Sequence, residues 1–387
     1  MLSFLLSTIL ILYPGDPIPR INLPAGWTAT VYAEGLSSLD GLALSPDGSV
    51  FFAEESAGSI GFVASNGQVC LYAGGFSNPE GIAFDSEGTL YIVEDTQNGS
   101  LFSVSSKGKI EILTDLDAPE GVTINQEGNI LITESNVQFT GSPLDYRTSV
   151  TEVFPNGSTV EIQYSQYLWS YSGITTDNQG TIYVCNEASG TGTTNSIFKI
   201  DPSTGVRTLF VSGLIACEGL RFNPSGTFPL YVVEEDLGSG NGQLSVISSD
   251  GSHQAFATGF LNIEDVLIDE NGNIYVSEDT SGMIILLEPD TGVEETSEQI
   301  SPMHAMTISP NPFNSLIEVS LPVNHTYPTV LSMFDTTGRI VFKETLSGTQ
   351  NNETYTIATH GLTNGNYFLQ INDLNSSYSI PCVHCDY

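Results

Sequence analysis

Between residues 36 and 287 the hydrophobic and polar positions follow one scheme six times over. A short apolar strand opens each unit, a Gly-containing polar turn follows, and an alternating second strand ends the unit's first hairpin, in most units on an acid. The units begin LDGLALSPDG, PEGIAFDSEG, PEGVTINQEG, YSGITTDNQG, CEGLRFNPSG and IEDVLIDENG. Their anchors are Gly41, Gly81, Gly121, Gly173, Gly219 and Asp265, spaced 40, 40, 52, 46 and 46 residues apart. In the second unit Gly81 to Phe84 reads as the innermost strand and Asp85-Ser86-Glu87-Gly88 as a turn. Thr89 to Val93, Ser100 to Ser105 and Lys109 to Thr114 read as the next three strands. Four strands and their turns fill about 40–45 residues, the length of one blade of a β-propeller.

The sixth unit supplies only three strands, the last within MIILLEPDTG (283–292). The missing outer strand is at the other end of the chain, where WTATVYA (27–33) matches KIEILT at 109–114. Pairing it with the last blade closes the ring and removes exposed sheet edges. The pattern therefore predicts an all-β chain with a six-bladed β-propeller over 21–292, closed by an N-terminal strand.

Residues 293–304 are acidic and rich in Ser and Thr, as a linker is. Residues 305–387 then alternate in short runs separated by turn signals, the pattern of a small β-sandwich. At the N-terminus, residues 2–13 form an apolar run too short to span a bilayer, and Pro14, Pro17 and Pro19 follow it. Residues 1–20 read as a signal peptide, with a buried first strand as the competing reading. No transmembrane segment is expected in the mature chain.

Composition sharpens this picture. Nine basic residues against 45 acidic ones give a formal charge of −36, which argues against nucleic acid or anionic lipid as a partner. It fits an extracellular protein or one that gathers cations. Five scattered cysteines make no disulfide scaffold. Cys185 and Cys217 fall in successive blades and are candidates to pair; Cys382 and Cys385 form a CxxC better read as a disulfide or two free thiols than as a zinc site.

Propeller geometry brings the starts of the inner strands and the ends of the second strands to one channel mouth. The residue before each anchor is Asp40, Glu80, Glu120, Ser172, Glu218 or Glu264. The residue closing each second strand is Glu54, Glu94, Glu134, Asn186, Glu234 or Glu278. Crowded carboxylates need a bound cation, raised pKa values or backbone amides. The outer ring is expected to bond amides of a neighbouring turn. The inner ring of Asp40, Glu80, Glu120, Glu218 and Glu264 is the candidate site for Ca²⁺ or another divalent cation, for which hard oxygen donors are suited.

Repeats such as PEGIAFDSEGTLYIVED also resemble the SMP-30/gluconolactonase and NHL group of six-bladed propellers, over about residues 25–290. In the lactonase branch this resemblance implies an axial divalent metal held at the starts of inner strands, with one ligand acting as base. The matching positions are Asp40, Glu80, Glu120, Glu218 and Glu264, nearly all Glu where that branch mixes Asn and Asp. The segment LPAGWTATVYAEGL is similar to quinoprotein sugar dehydrogenases, but those enzymes and the propeller lyases place a histidine in the channel. Only His253 falls within the propeller here, near an outer strand, so carboxylate and metal chemistry is expected.

In the C-terminal part, Pro310-Asn311-Pro312-Phe313-Asn314, Phe334-Asp335 with Thr337-Gly338-Arg339, and Gly361-Leu362 through Gly365-Asn366-Tyr367-Phe368 resemble the sorting domain of type IX (Por) secretion. That resemblance implies the secretion machinery as a partner and a secreted or cell-surface location.

Insertions at 135–149, 187–195 and 235–242 fall on the mouth side of three adjacent blades and suggest a rim for a small-molecule or carbohydrate ligand. Trp169 and Tyr171 offer aromatic faces there, or pack between blades. Arg147 is placed to neutralise a rim acid or hold an anionic group, and Asn186 stands where the acids are interrupted. Two functions compete. One is an exported, calcium-dependent hydrolase of lactonase or esterase type, with Glu120 and Glu264 as catalytic carboxylates. The other is a non-catalytic NHL-like propeller that binds a glycan or protein, with calcium structural.

Overall fold

The structure, a computed structural model, describes residues 12–290 apart from 65–67, 106–107, 138–145, 167–169, 188–194 and 236–241, and most of the strands and turns between Thr307 and His384. Six four-stranded antiparallel sheets make the propeller. In the second blade the strands are Pro79–Phe84, Leu90–Glu94, Gly99–Ser105 and Gly108–Leu116, in that spatial order. The outer strand runs beyond the Lys109 to Thr114 of its hydrophobic pattern, because Gly108 pairs with Ser105 and, past register shifts, Leu116 pairs with Gly99.

The first hairpins of blades two to six turn the same way for a local reason. Asp85 Oδ1 accepts the amides of Glu87 (2.9 Å) and Thr89 (2.8 Å), while Gly88 takes φ +82°. Asp177 and Asp269 repeat the arrangement. A tyrosine of the following strand, Tyr91, Tyr183 or Tyr275, donates its hydroxyl to the same aspartate. The turn is thus tied to the sheet it starts.

Ring closure follows the sequence pattern. Trp27–Ala33 pairs antiparallel with Met283–Pro289, Trp27 opposite Pro289 and Thr30 opposite Leu286, and completes the sixth sheet. A further tie precedes it. Gly15 N donates to Val31 O (2.8 Å), Val31 N to Asp16 O (2.9 Å) and Ile18 N to Ala29 O (3.0 Å), so residues 15–18 run along the edge of the closing strand. Asn22 exchanges two backbone bonds with Thr258 of blade five, and Ile18 and Ile21 are buried in the core shared by these blades. Residues 13–20 fall in the segment expected as a signal peptide; the structure packs them against the propeller, whose chain begins before residue 21.

The C-terminal part has two sheets of its own. One contains Thr307–Ser309, Leu316–Ser320 and Thr354–Ala358; the other orders Ile340–Leu346, Thr329–Asp335, Gly365–Asn372 and Ser377–His384. Ile317, Val319 and Ile357 from the first form one buried cluster with Leu331, Met333, Tyr367 and Leu369 from the second. Residues 310–314 of its first motif, the linker and Cys385 lie outside the described residues.

Candidate functional site

Four of the five inner-ring acids, Glu80, Glu120, Glu218 and Glu264, are aimed by the same backbone device. In blade two Pro79 pairs with Glu94 and Ile82 with Ile92, so Glu80 and Gly81 together face one residue, Val93. Blades three, five and six carry the same irregularity at the same place. Such a bulge re-aims a side chain that regular pleating would send into the sheet interface. The residue two before the acid sits in the left-handed region: Ser38 (φ 47°), Asn78 (58°), Ala118 (42°), Ala216 (38°) and Asn262 (57°). Such backbone is costly for side chains other than Gly. It is held by a bond from the amide just beyond the second strand, as in Asp95 N to Asn78 O and Asp279 N to Asn262 O, both 2.9 Å.

The anchor glycines explain how close the strands come around the axis. A Cβ on Gly41 would stand 2.5 Å from Glu80 O, and one on Gly81 would stand 2.4 Å from Glu120 O. Gly121 and Gly173 meet the next blade's carbonyl in the same way, at 2.5 and 2.6 Å. Only Gly fits where one blade's inner strand passes so near the next. The result is a cavity of about 250 Å³ lined by Asp40, Glu80, Glu120, Glu218 and Glu264, all five of the inner-ring acids.

Burial and crowding push three of these acids towards their protonated forms. Asp40 is pushed up to about 8 by loss of solvent and then by the charges of Asp265, Glu55, Asp95 and Asp279. Glu264 rises to about 9 by burial, Asp40, Glu235, Asp279 and Glu55. Glu80 is raised well above its ordinary value by burial, Asp40, Asp95, Glu120 and Glu55. Hydrogen bonds orient two of the ring: Asn262 Nδ2 donates to Glu264 Oε1 (2.6 Å) and Ser170 Oγ to Glu120 Oε1 (2.7 Å). Among the described residues no three acids, cysteines or histidines stand close enough to grip one ion as they are now turned. The donors nonetheless fit a hard divalent cation in kind: five inner-ring carboxyl groups converge on one cavity whose single described cation, Arg221, is paired with Asp265.

The second ring has the structural part expected of it. Glu54, Glu94, Glu134, Glu234 and Glu278 accept the amides of Ser37, Ser77, Asp117, Ile215 and Leu261, at 2.6–3.2 Å. Glu234 also takes bonds from Gln243 and Ser245, and Glu278 from Arg20 and Ser281. The next residue in each chain, Glu55, Asp95, Glu235 or Asp279, adds its charge to the inner ring instead. The signal was present in the acid pairs EE, ED, EE and ED that end these second strands. One member of each pair caps a turn and the other acts on the inner ring by its charge, with Asp95 itself lining the cavity.

Arg221 was also missed. It is the one cation among the described cavity-lining residues, at a position where other blades carry Ala43, Ala83, Thr123, Thr175 and Leu267. From blade five its Nη2 reaches Asp265 of blade six (3.2 Å) and Leu42 O of blade one (3.3 Å), so it lies across the channel at the ring's seam. Asp265, which replaces the anchor glycine, also accepts the amides of Leu42 and Val266.

Of the remaining predicted contacts, Tyr171 and Asn186 stand away from the cavity. Tyr171 is wholly buried, with its hydroxyl accepting from Arg207 Nη1 (3.1 Å). Asn186 is buried opposite Tyr171 in the sheet, and neither lines the cavity. Trp169 and the side chain of Arg147 lie outside the described residues, as do 138–145, 188–194 and 236–241 of the three insertions.

Residues 307–382 match the family of secretion system C-terminal sorting domains. The chain is exported through the type IX system to the cell surface or beyond. No curated protein matches it. Among solved structures, a gluconolactonase from Xanthomonas campestris is similar at TM-score 0.59 and 14% identity, covering 72% of this chain and 98% of that one. The PQQ domain of a pyranose dehydrogenase from Coprinopsis cinerea is similar at TM-score 0.50 and 14% identity, covering 69% and 97%. At these identities the likeness extends to the propeller fold.

Proposed function

We propose that the axial well is the active site of an exported, divalent-cation-dependent hydrolase of lactonase or esterase type, with calcium as the ion. The supporting observation is the convergence of five carboxyl groups from five blades on one cavity, three of them held above the ordinary carboxylate range. The likeness to a gluconolactonase propeller is consistent with this reading. Asp40, Glu80, Glu120, Glu218 and Glu264 would hold the ion, which when bound supplies a Lewis acid for a carbonyl oxygen. The volume, about 250 Å³, lies just below the usual range for small-molecule sites and suits a single-ring lactone.

The chain's own residues do the proton work. Glu120 and Glu264 are assigned as the carboxylates that take the proton of an attacking water, each fixed at Oε1 by a neighbour's hydrogen bond. Glu264 holds its own proton at neutral pH in the cation-free protein, so the ion must displace that proton to bind, and calcium affinity rises from pH 6 towards pH 9. Repulsion by the remaining acids then expels the carboxylate product. Trp169 and Arg147 are assigned to substrate contact at the rim from their place in the sequence.

Titrating the acid released from a neutral δ-lactone, with calcium and with EDTA, tests the proposal. Glu120→Gln should lower turnover about 100-fold or more. A well that binds calcium yet hydrolyses no lactone or ester would leave it a binding role only.

A further inference from the structure

Cys185 and Cys217 occupy a repeated contact between neighbouring blades. Each immediately precedes a mouth position, Asn186 in blade four and Glu218 in blade five. At the next junction the same two positions are Val233 and Ile263, which pack in one cluster. Between blades four and five both residues are cysteine, fully buried and again in one cluster. Cys217 Sγ lies 3.6 Å from Asn186 O and 3.7 Å from Ser196 O, against the residue that follows Cys185 and that residue's sheet partner. Burial, and a hydrogen bond with the Cys217 thiol, push the Cys185 thiol well above its ordinary value. Neither sulfur lines the cavity, so the pair has no place in the hydrolytic reading. The sorting domain takes this chain into compartments where disulfides form and persist.

We infer that in the exported protein Cys185 and Cys217 are joined by a disulfide that staples blade four to blade five beneath the acidic well. Two S–H bonds break and one S–S bond forms. The two electrons and two protons pass to a protein disulfide of the thiol-oxidoreductase class, which becomes a dithiol. Both thiols are sealed once the blades pack, so the exchange precedes closure of this core. The staple fixes the backbone at Asn186, where the second ring is interrupted, and at Glu218, the inner-ring acid that follows Ser172.

The test is a peptide map of the full chain recovered after export, its free thiols alkylated in denaturant without reductant. Trypsin places Cys185 in peptide 148–199 and Cys217 in peptide 208–221. The expected result is one species containing both peptides, lighter than their sum by two hydrogens, which separates on reduction. Recovery of the two peptides apart and alkylated would overturn the inference. So would linkage of either to a peptide carrying Cys70, Cys382 or Cys385.

Discussion

Arg20 offers a sharp perturbation of ring closure. Its guanidinium binds both oxygens of Glu278, which is fully buried, and donates to Gly259 O at 2.7 Å. Arg20→Met keeps the aliphatic stem and removes the charge. Glu278 then keeps only the Leu261 amide and the Ser281 hydroxyl for a carboxylate without solvent. Removing one partner of a buried pair costs about 3–5 kcal/mol. Arg20 is itself partly exposed, so the loss should fall near the lower end, about 3 kcal/mol. Starting the chain at Asn22 deletes more: the burial of Ile18 and Ile21, about 1.5–3 kcal/mol each, is lost along with the ion pair. That truncation should remove at least about 5 kcal/mol, comparable to the whole stability of many domains. Urea unfolding of the full chain, Arg20→Met and the truncated chain measures both, as a lowered midpoint at constant slope. Stabilities within about 0.5 kcal/mol of the full chain would refute the reasoning that residues 13–22 lock the ring.

Three further outcomes are expected. Asp40 and Glu264 have folded-state values of about 8 and 9 against ordinary values of 3.8 and 4.5. A raised carboxyl contributes stability below its unfolded value and loses it as pH climbs through the folded one. The melting temperature in EDTA should therefore fall between pH 5 and pH 9, and calcium should restore most at the alkaline end; a profile rising over that range would contradict the assignment. Glu234→Ala strands the Ile215 amide and the Ser245 hydroxyl and should cost about 2 kcal/mol in denaturant unfolding, while calcium affinity by calorimetry stays unchanged. Gly81→Ala drives a Cβ into the Glu120 carbonyl and should cost about 1–3 kcal/mol or more in thermal unfolding.

Periodicity made most of the propeller legible, because the blades repeat the same strand alternation and five of the six carry the same Asp or Asn turn. Ring closure was readable for the same reason: WTATVYA lacks a partner in its own unit and the sixth unit lacks an outer strand. The site was legible at the level of repeat position but not of direction. Whether Glu94 or Asp95 faces the axis depends on a bulge and a left-handed residue that strand alternation does not reveal. Arg221 was hidden because its position faces the channel interior, where the other blades carry small or apolar groups. For Tyr171 the spacing from Gly173 allowed a rim aromatic or packing between blades; it is buried with Leu131 and Val150 of blade three and Ile174 and Val184 of blade four. The packing of residues 13–22 on the propeller was obscured by the apolar run before them, whose composition is equally that of a leader.

The central claim is that five inner-ring carboxyls form one divalent-cation site. Calorimetric titration of the EDTA-treated full chain with calcium at pH 8, beside Glu120→Gln and Glu234→Gln, tests it most directly. Saturable binding at one ion per chain, weakened by Glu120→Gln and untouched by Glu234→Gln, is the predicted result. No calcium binding in the unaltered chain, or equal weakening by both substitutions, would contradict it.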